Sequence, residues 1–431
     1  MCSVTTTLAR RLNAFDATMI AMGGIIGSGI FINPYVVARQ LHSTPLILAA
    51  WTAGGGVALL GAFVYAELAA IRPEAGGQYA YLRDAYHPAA AFMYGWALLL
   101  VVQSGGMAAV AVTFARYAIE LTGLHLPEWV IATATLTVLT LINCLGVRSG
   151  SNTQTVLMLL KLLAIAMLLG AGLFFFGRSQ LTLHPIVDGG GLLMRFAAAM
   201  TPVMFAYGGW QTATFMSGEL VRPGRDLAIG LVAGVIGVIA IYVGVNVVCL
   251  MALGTNGLAA TTTPASAVMR LAFGERGGQL IALGIAVSTL GFLSQGMLTA
   301  PRVYYAMAND KLFFSAVARV NPKTRVPIVA IALQGIVAII IALSGTYEQI
   351  LGYVVSTDFL FFGLTGLAIF RFRGHKAAHP IGTVIFVVAC WLVVAGTVVA
   401  APRNSAIGYA ILIAGLPAYW FWRKRQTLVS S

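Results

Sequence analysis

Two short runs in this chain have the composition of a backbone that opens inside an apolar segment. GGIIGSGIF (Gly23–Phe31) places four glycines and one serine in a hydrophobic stretch, and FAYGGW (Phe205–Trp210) follows shortly after Pro202. Gly costs about 1 kcal/mol in a helix interior, so each cluster is expected to unwind a helix locally. A broken helix leaves free N–H groups at the start of its second half and free carbonyls at the end of its first. The N–H end carries partial positive charge and suits a carboxylate, whereas the carbonyl end suits an ammonium group. Two breaks side by side therefore form a receptor for a zwitterionic α-amino acid. The expected carboxylate ligands are the N–H groups of Ser28, Gly29 and Ile30, helped by the Ser28 hydroxyl; the expected amine ligands are the carbonyls of Ile25, Phe205 and Gly208. Gly27 and Gly29 let a ligand approach the backbone closely. The plainer reading, that the glycines only permit close helix packing, explains one cluster more readily than two at matching places.

Charged residues inside apolar runs come next. Lys161 sits in NTQTVLMLLKLLAIAMLL, about three turns from its polar start. A charge at that depth is expensive and marks function by default; the alternative is a lysine that snorkels to the interface. A sharper variant has Lys161 release a proton. Asp358, in YVVSTDFLFF, can contact a cationic substrate side chain, carry a proton, pair structurally or face water. Glu67 and Glu219 lie at helix ends near Arg72, Arg222 and Arg225, and with Arg302 read as an inner gate or loop ion pairs. Tyr207 and Trp210 flank the second break, where packing is the default role and substrate contact the second. Six scattered His and four isolated Cys suggest no metal site, disulfide framework or redox pair, and no cofactor is implied. A membrane-embedded enzyme would need clustered nucleophile and base residues, which are absent, so that class and a non-transporting sensor are remote alternatives.

These residues need elements to hold them. The chain has 431 residues, 59% hydrophobic and only 9% charged, with 48 glycines, against about 25% charged residues in soluble domains. It is an all-α membrane protein. At roughly 20 apolar residues per span, it reads as twelve transmembrane helices near 16–37, 45–70, 88–121, 128–146, 153–177, 192–218, 227–254, 278–308, 326–344, 347–371, 380–400 and 405–422. The Lys/Arg bias of the loops sets orientation. With the N-terminus inside, 18 of the 26 basic residues fall on the cytoplasmic side. The net charge of +13 is thus a topology signal that needs no nucleic-acid partner. The polar, basic start MCSVTTTLARRLNAFD reads as a cytoplasmic tail rather than a cleaved signal. Paired interruptions in two halves are the best sequence pointer to a transporter's binding site. Spans 1 and 6 each open a set of five, giving a tail (1–15), a first five-helix repeat (16–177), an inverted second repeat (178–371), helices 11 and 12 (372–422) and a C-terminal tail (423–431).

GGIIGSGIF, RPEAGGQYAYLRDAY (Arg72–Tyr86), FAYGGWQ (Phe205–Gln211) and ELVRPGRDLAIG (Glu219–Gly230) resemble motifs of the amino acid–polyamine–organocation (APC) superfamily. Within it they look most like the L-type amino acid transporter branch and its bacterial members. The resemblance implies the LeuT-like 5+5 fold with broken helices 1 and 6. It implies sodium-independent transport of amino acids by alternating access in the cell (inner) membrane; the loop charges and the even number of spans put both termini on the cytoplasmic side. Carried over motif by motif, it puts the carboxylate on Ser28 and Gly29, the amine on Ile25, Phe205 and Gly208, and makes the Phe205 ring a lid. Gln211 stands where that branch usually has Asn. Sodium-coupled members of this fold bind a cation between spans 1 and 8; the resemblance places the Lys161 amine there, facing carbonyls of span 1 and Ser288. The connection Leu121–Glu128 has no Cys, so no disulfide-linked heavy chain is expected. Small to medium neutral L-amino acids are the expected substrates, by exchange or with a proton; the alternative is a cationic amino acid or polyamine transporter.

Overall fold

A computed structural model describes residues 12–72, 77–145, 151–175, 177, 191–321, 326–372 and 377–430, without the side chains of 151–158, 215–219, 223, 298, 302 and 424–430. Outside the described residues lie the tail through Arg11 with Cys2, the motif residues 73–76, His184 and His375. Arg148, Arg178, Lys323, Arg325, Arg373 and Lys376 of the loop-charge count lie outside them too, as do the side chains of Glu219, Arg302, Lys424 and Arg425.

Sixteen α-helices run through the described residues: α1 (Ala14–Ile25), α2 (Gly29–Leu41), α3 (Thr44–Ile71), α4 (Gln78–Ala85), α5 (Pro88–Ala97), α6 (Gln103–Thr122), α7 (Glu128–Cys144), α8 (Ser151–Ala171), α9 (Leu192–Tyr207), α10 (Pro223–Ala260), α11 (Pro264–Thr299), α12 (Pro301–Asn309), α13 (Ile328–Ser344), α14 (Tyr347–Ala368), α15 (Pro380–Ala400) and α16 (Pro402–Ser430). A π-helical turn (Leu98–Val102) joins α5 to α6, and a 3-10 segment (Trp210–Glu219) follows α9. The sole β contact among the described residues is a bridge between Leu12 and Leu220.

Local chemistry sets many helix starts. Asn13 and Asp16 form a capping box on α1, and Thr346 and Gln349 form another on α14, each satisfying orphan N–H groups. Pro45, Pro88, Pro264, Pro301 and Pro380 occupy first turns, where a missing N–H is harmless. Among the described residues seven helical stretches, one of them α5 through α6, are long and apolar enough to cross a membrane; α1 and α2, bent by 44° at their junction, make an eighth together. Glu128–Cys144, Leu159–Phe175 and Ile328–Ser344 are shorter apolar helices.

The last helix, α16, runs on to Ser430 where a tail is expected from 423, and two further stretches depart from the boundaries expected from sequence. The expected span 278–308 belongs to a longer path: α11 starts at Pro264, turns at Gly274 (φ +68°) and stops at Thr299, and α12 completes it from Pro301. Similarly α10 runs on to Ala260 across a kink at Gly254 (φ +63°). In both cases a glycine in the left-handed region lets one helical path change direction where hydropathy alone suggests an end.

Close packing of small residues holds α1, α3 and α10 together. Gly230 and Gly234 of α10 press against Ala17 and Ala21 of α1, and Gly55 of α3 against Ile239 of α10, the contact mode of apolar bundles. Trp51, Tyr207 and Tyr242 are buried at this centre. Leu159, Leu163, Ile336, Ile340 and Leu392 point outward and are exposed, as a lipid-facing surface requires.

Candidate functional site

The two glycine clusters are breaks, and they touch. Helix α1 ends at Ile25, and the chain leaves helical geometry at Ile26 (φ −71°, ψ 85°) before α2 resumes at Gly29. Helix α9 ends at Tyr207; Gly208 is extended and Gly209 has φ +110°, a conformation that only glycine takes easily. A Cβ on Gly29 would stand 2.6 Å from the Ala206 Cα, and one on Gly24 would stand 2.7 Å from the Gly209 carbonyl. The breaks pack backbone to backbone, which side chains at these positions would prevent.

Hydrogen bonding around the first break is lopsided. Its carbonyls are engaged: Ile25 O accepts from the Gly27 N–H (2.7 Å) and from the Tyr242 hydroxyl (3.0 Å), while Ile26 O accepts from Lys161 Nζ (2.5 Å). The N–H groups of Ser28, Gly29 and Ile30 have no partner among the described residues, and neither does the buried Ser28 hydroxyl. Across the gap the Tyr242 hydroxyl also reaches Ala206 O (3.2 Å), tying the two breaks to α10. Phe205 O accepts from the Gly208 N–H (3.3 Å), and the Gly208 carbonyl has no partner among the described residues. Gln211 turns its side-chain oxygen back to the Gly209 N–H (3.0 Å), which braces the second break.

Both breaks open on a cavity of about 110 Å³. On the scale at which one water needs roughly 10–15 Å³, it holds on the order of ten waters or one small ligand. Ile25, Ser28, Gly29, Phe205, Gly208, Gln211 and Asp358 line it; Ile30 and Lys161 do not. Ile30 follows Gly29 by about 100° around the helix and is buried away from the cavity. Lys161 approaches the break from behind, with its amine over the Phe292 ring at 5.8 Å, and Ser288 is not among its hydrogen-bond partners in the described residues. Tyr207 and Trp210 are fully buried in ring packing, Trp210 on Phe362 at 4.9 Å and Tyr207 on Tyr242 at 5.0 Å, and neither lines the cavity. Glu67 accepts from the Ala378 backbone N–H.

Several contributors lie outside the sequence reading. Tyr242 is one; its only sequence signal is a phenol within the apolar run IAIYVGVNVV. Gln103 and Gln295 add polar groups to the cavity wall. Beyond the Ser28 end, Asn33 donates to Pro202 O (2.6 Å) and accepts from the Tyr347 hydroxyl (2.9 Å), and the Tyr347 ring lies 6.3 Å from that of Phe205. Next to it Arg116 donates to Tyr35 (3.0 Å) and Glu128 (2.9 Å), and Tyr35 donates to Glu348 (2.9 Å). This network joins α2, α6, α7, α9 and α14.

Comparison with known proteins bears on what such a cavity holds. A family model described as amino acid permease matches residues 12–421. Among similar proteins, the serine/threonine exchanger SteT of Bacillus subtilis (strain 168) is 29% identical over 97% of this chain and 98% of its own. The b(0,+)-type amino acid transporter 1 of Homo sapiens is 28% identical over 93% of this chain and 84% of its own. The human large neutral amino acids transporter small subunit 2 is 27% identical over 98% and 83%, respectively.

Proposed function

The chain belongs to the amino acid permease family, and from that premise we propose that it exchanges small to medium neutral L-amino acids across the cell membrane by alternating access. The observation that carries the reading is the pair of touching breaks on one cavity, with three N–H groups and a hydroxyl at Ser28–Ile30 lacking partners among the described residues. An α-carboxylate is acceptor-only and completes them. The amine then lies toward the Gly208 and Phe205 carbonyls, with Phe205 and Tyr347 as the lid and Gln211, Gln103 and Asp358 around the side chain.

The similarity to a serine/threonine exchanger and to a transporter of large neutral amino acids supports uncharged substrates. Twelve spans fit this reading: the seven long helices, the bent α1–α2 pair, the three shorter apolar helices and the interrupted path from α9 through Trp210–Glu219. On this reading spans 1–5 and 6–10 are inverted repeats, helices 11 and 12 follow, and both termini are cytoplasmic. The Lys161 amine on Ile26 O acts as a tethered cation in place of sodium, and Glu219, Arg302 and the neighbouring arginines form the inner gate. No disulfide-linked heavy chain is required.

The test is counterflow. Purified protein in proteoliposomes loaded with L-serine should accumulate labelled L-serine and L-alanine without sodium, and much less from empty vesicles. Arginine-only uptake, or serine uptake that requires sodium, would overturn the assignment.

A further inference from the structure

Asp358 is the charged group on the cavity wall that holds neither end of the zwitterion. Its side chain is 8% exposed, and among the described residues it has neither a hydrogen bond nor an ion pair. An unpaired carboxylate in an apolar interior is costly unless something positive joins it. The cation cannot be Lys161, whose amine is held by Ile26 O and lies off the cavity wall. Nor, on the reading above, can it be the substrate, since a neutral amino acid has only its α-ammonium, which the break carbonyls hold.

The surroundings of Asp358 on the side away from the cavity point to the remaining cation. The titratable groups facing it are Tyr65 of α3, Tyr94 of α5 and Cys390 of α15, with no acidic or basic side chain beside them among the described residues. Apart from Asp358, no residue that lines the cavity is titratable. Tyr94 in turn faces Tyr304 of α12. The hydroxyls of Tyr65, Tyr94 and Tyr304 are buried without a hydrogen-bond partner among the described residues. Buried hydroxyls of this kind are satisfied by internal water. A carboxylate followed by such a line of hydroxyls is a route along which a proton can hop.

We propose that Asp358 is a proton-binding site that couples proton movement to amino acid movement, with Tyr94 and Tyr304 lining its route away from the cavity. The proposal rests on the neutral-substrate reading. One proton adds to the Asp358 carboxylate from water in the open cavity and leaves by the hydroxyl route after the cavity has closed on that side. No bond to the substrate forms, and each zwitterion carried this way moves one positive charge.

The experiment uses proteoliposomes containing the full chain and pyranine, a trapped pH dye. External L-serine should acidify the lumen, and an inward pH gradient should raise initial serine uptake several-fold. Asp358→Asn should abolish serine-driven acidification, and Tyr94→Phe should slow it at least tenfold. Wild-type protein that shows serine counterflow with no acidification overturns the proton site while leaving the exchanger reading intact; absence of counterflow overturns the exchanger reading instead. Acidification that survives Asp358→Asn also overturns the proposal. So does lysine or arginine uptake without proton movement that Asp358→Asn abolishes, which makes the acid a ligand for a substrate cation.

Discussion

Gly29→Ala tests the geometry on which transport depends. A methyl at this position would lie 2.6 Å from the Ala206 Cα and 2.8 Å from its Cβ, whereas ordinary contacts are 3.4–4 Å. Both opposing atoms belong to a helix rather than to a flexible side-chain tip. Relief therefore requires α2 and α9 to separate by about 1 Å. Overpacking of this kind costs about 1–3 kcal/mol. The shift also carries the N–H groups of Ser28, Gly29 and Ile30 away from the carboxylate, and hydrogen bonds to a charged group are worth about 1.5–3 kcal/mol each. Losing the equivalent of one of them weakens substrate binding by about 10- to 100-fold, at about 1.4 kcal/mol per factor of ten. The assay is the KM for L-serine counterflow in proteoliposomes, with reconstituted amounts matched. Gly56→Ala is the control: that glycine is exposed on α3 with nothing within 4 Å of a added methyl, so KM should stay within twofold. A Gly29→Ala protein with unchanged KM and rate would refute the idea that the backbone contact positions the carboxylate ligands.

Three further substitutions probe the supports of the site. Tyr242→Phe removes the hydroxyl shared by Ile25 O and Ala206 O; at about 1–3 kcal/mol for unsatisfied buried groups, serine affinity measured by scintillation proximity should fall roughly 5- to 100-fold, and an unchanged value would show that water replaces it freely. Lys161→Ala removes the amine from Ile26 O, so affinity should fall and differ between the two membrane faces in sided vesicles; a wild-type profile reduces the lysine to packing. Arg116→Gln breaks the link from α6 to Tyr35 and Glu128. A cysteine introduced at Phe205 in that background should react with an external membrane-impermeant maleimide several-fold faster than in the background with Arg116 intact; equal rates would show that the network does not hold the end of the cavity shut.

The breaks were legible because their cause is local: glycines at 23, 24, 27 and 29, and at 208 and 209, weaken helix without help from elsewhere. Lys161 and Asp358 stood out for a related reason, as charges within apolar runs. What pairs with what was hidden. Tyr242 and Ile25 are 217 residues apart, Asn33 and Pro202 are 169, and Tyr35 and Glu348 are 313, so no window of sequence contains both partners. Facing was hidden too. Gly29 and Ile30 look equally placed in GGIIGSGIF, yet a rotation of about 100° per residue puts one at the cavity and the other in the core. Helix ends inside α10 and α11 escaped because the glycine that redirects each path, Gly254 or Gly274, sits in sequence that still favours helix on both sides.

The uneven satisfaction of the first break has a consequence for which end of an amino acid is anchored. Opening a helix in an apolar interior leaves polar groups that cost several kcal/mol each if unpaired. The protein supplies donors to the carbonyl side, from Tyr242 on α10 and Lys161 on α8, and supplies nothing among the described residues to the N–H side. The resulting strain is one of missing acceptors, concentrated at the positive end of α2. A carboxylate relieves all of it at once, whereas an ammonium finds Ile25 O already holding two donors. The carboxylate is therefore the anchor, and the amine contact falls mainly to the second break, at Gly208. Because the two breaks sit on separate helical segments, one ligand spanning both draws α2 and α9 together, which links occupancy of the site to movement of the helices around it.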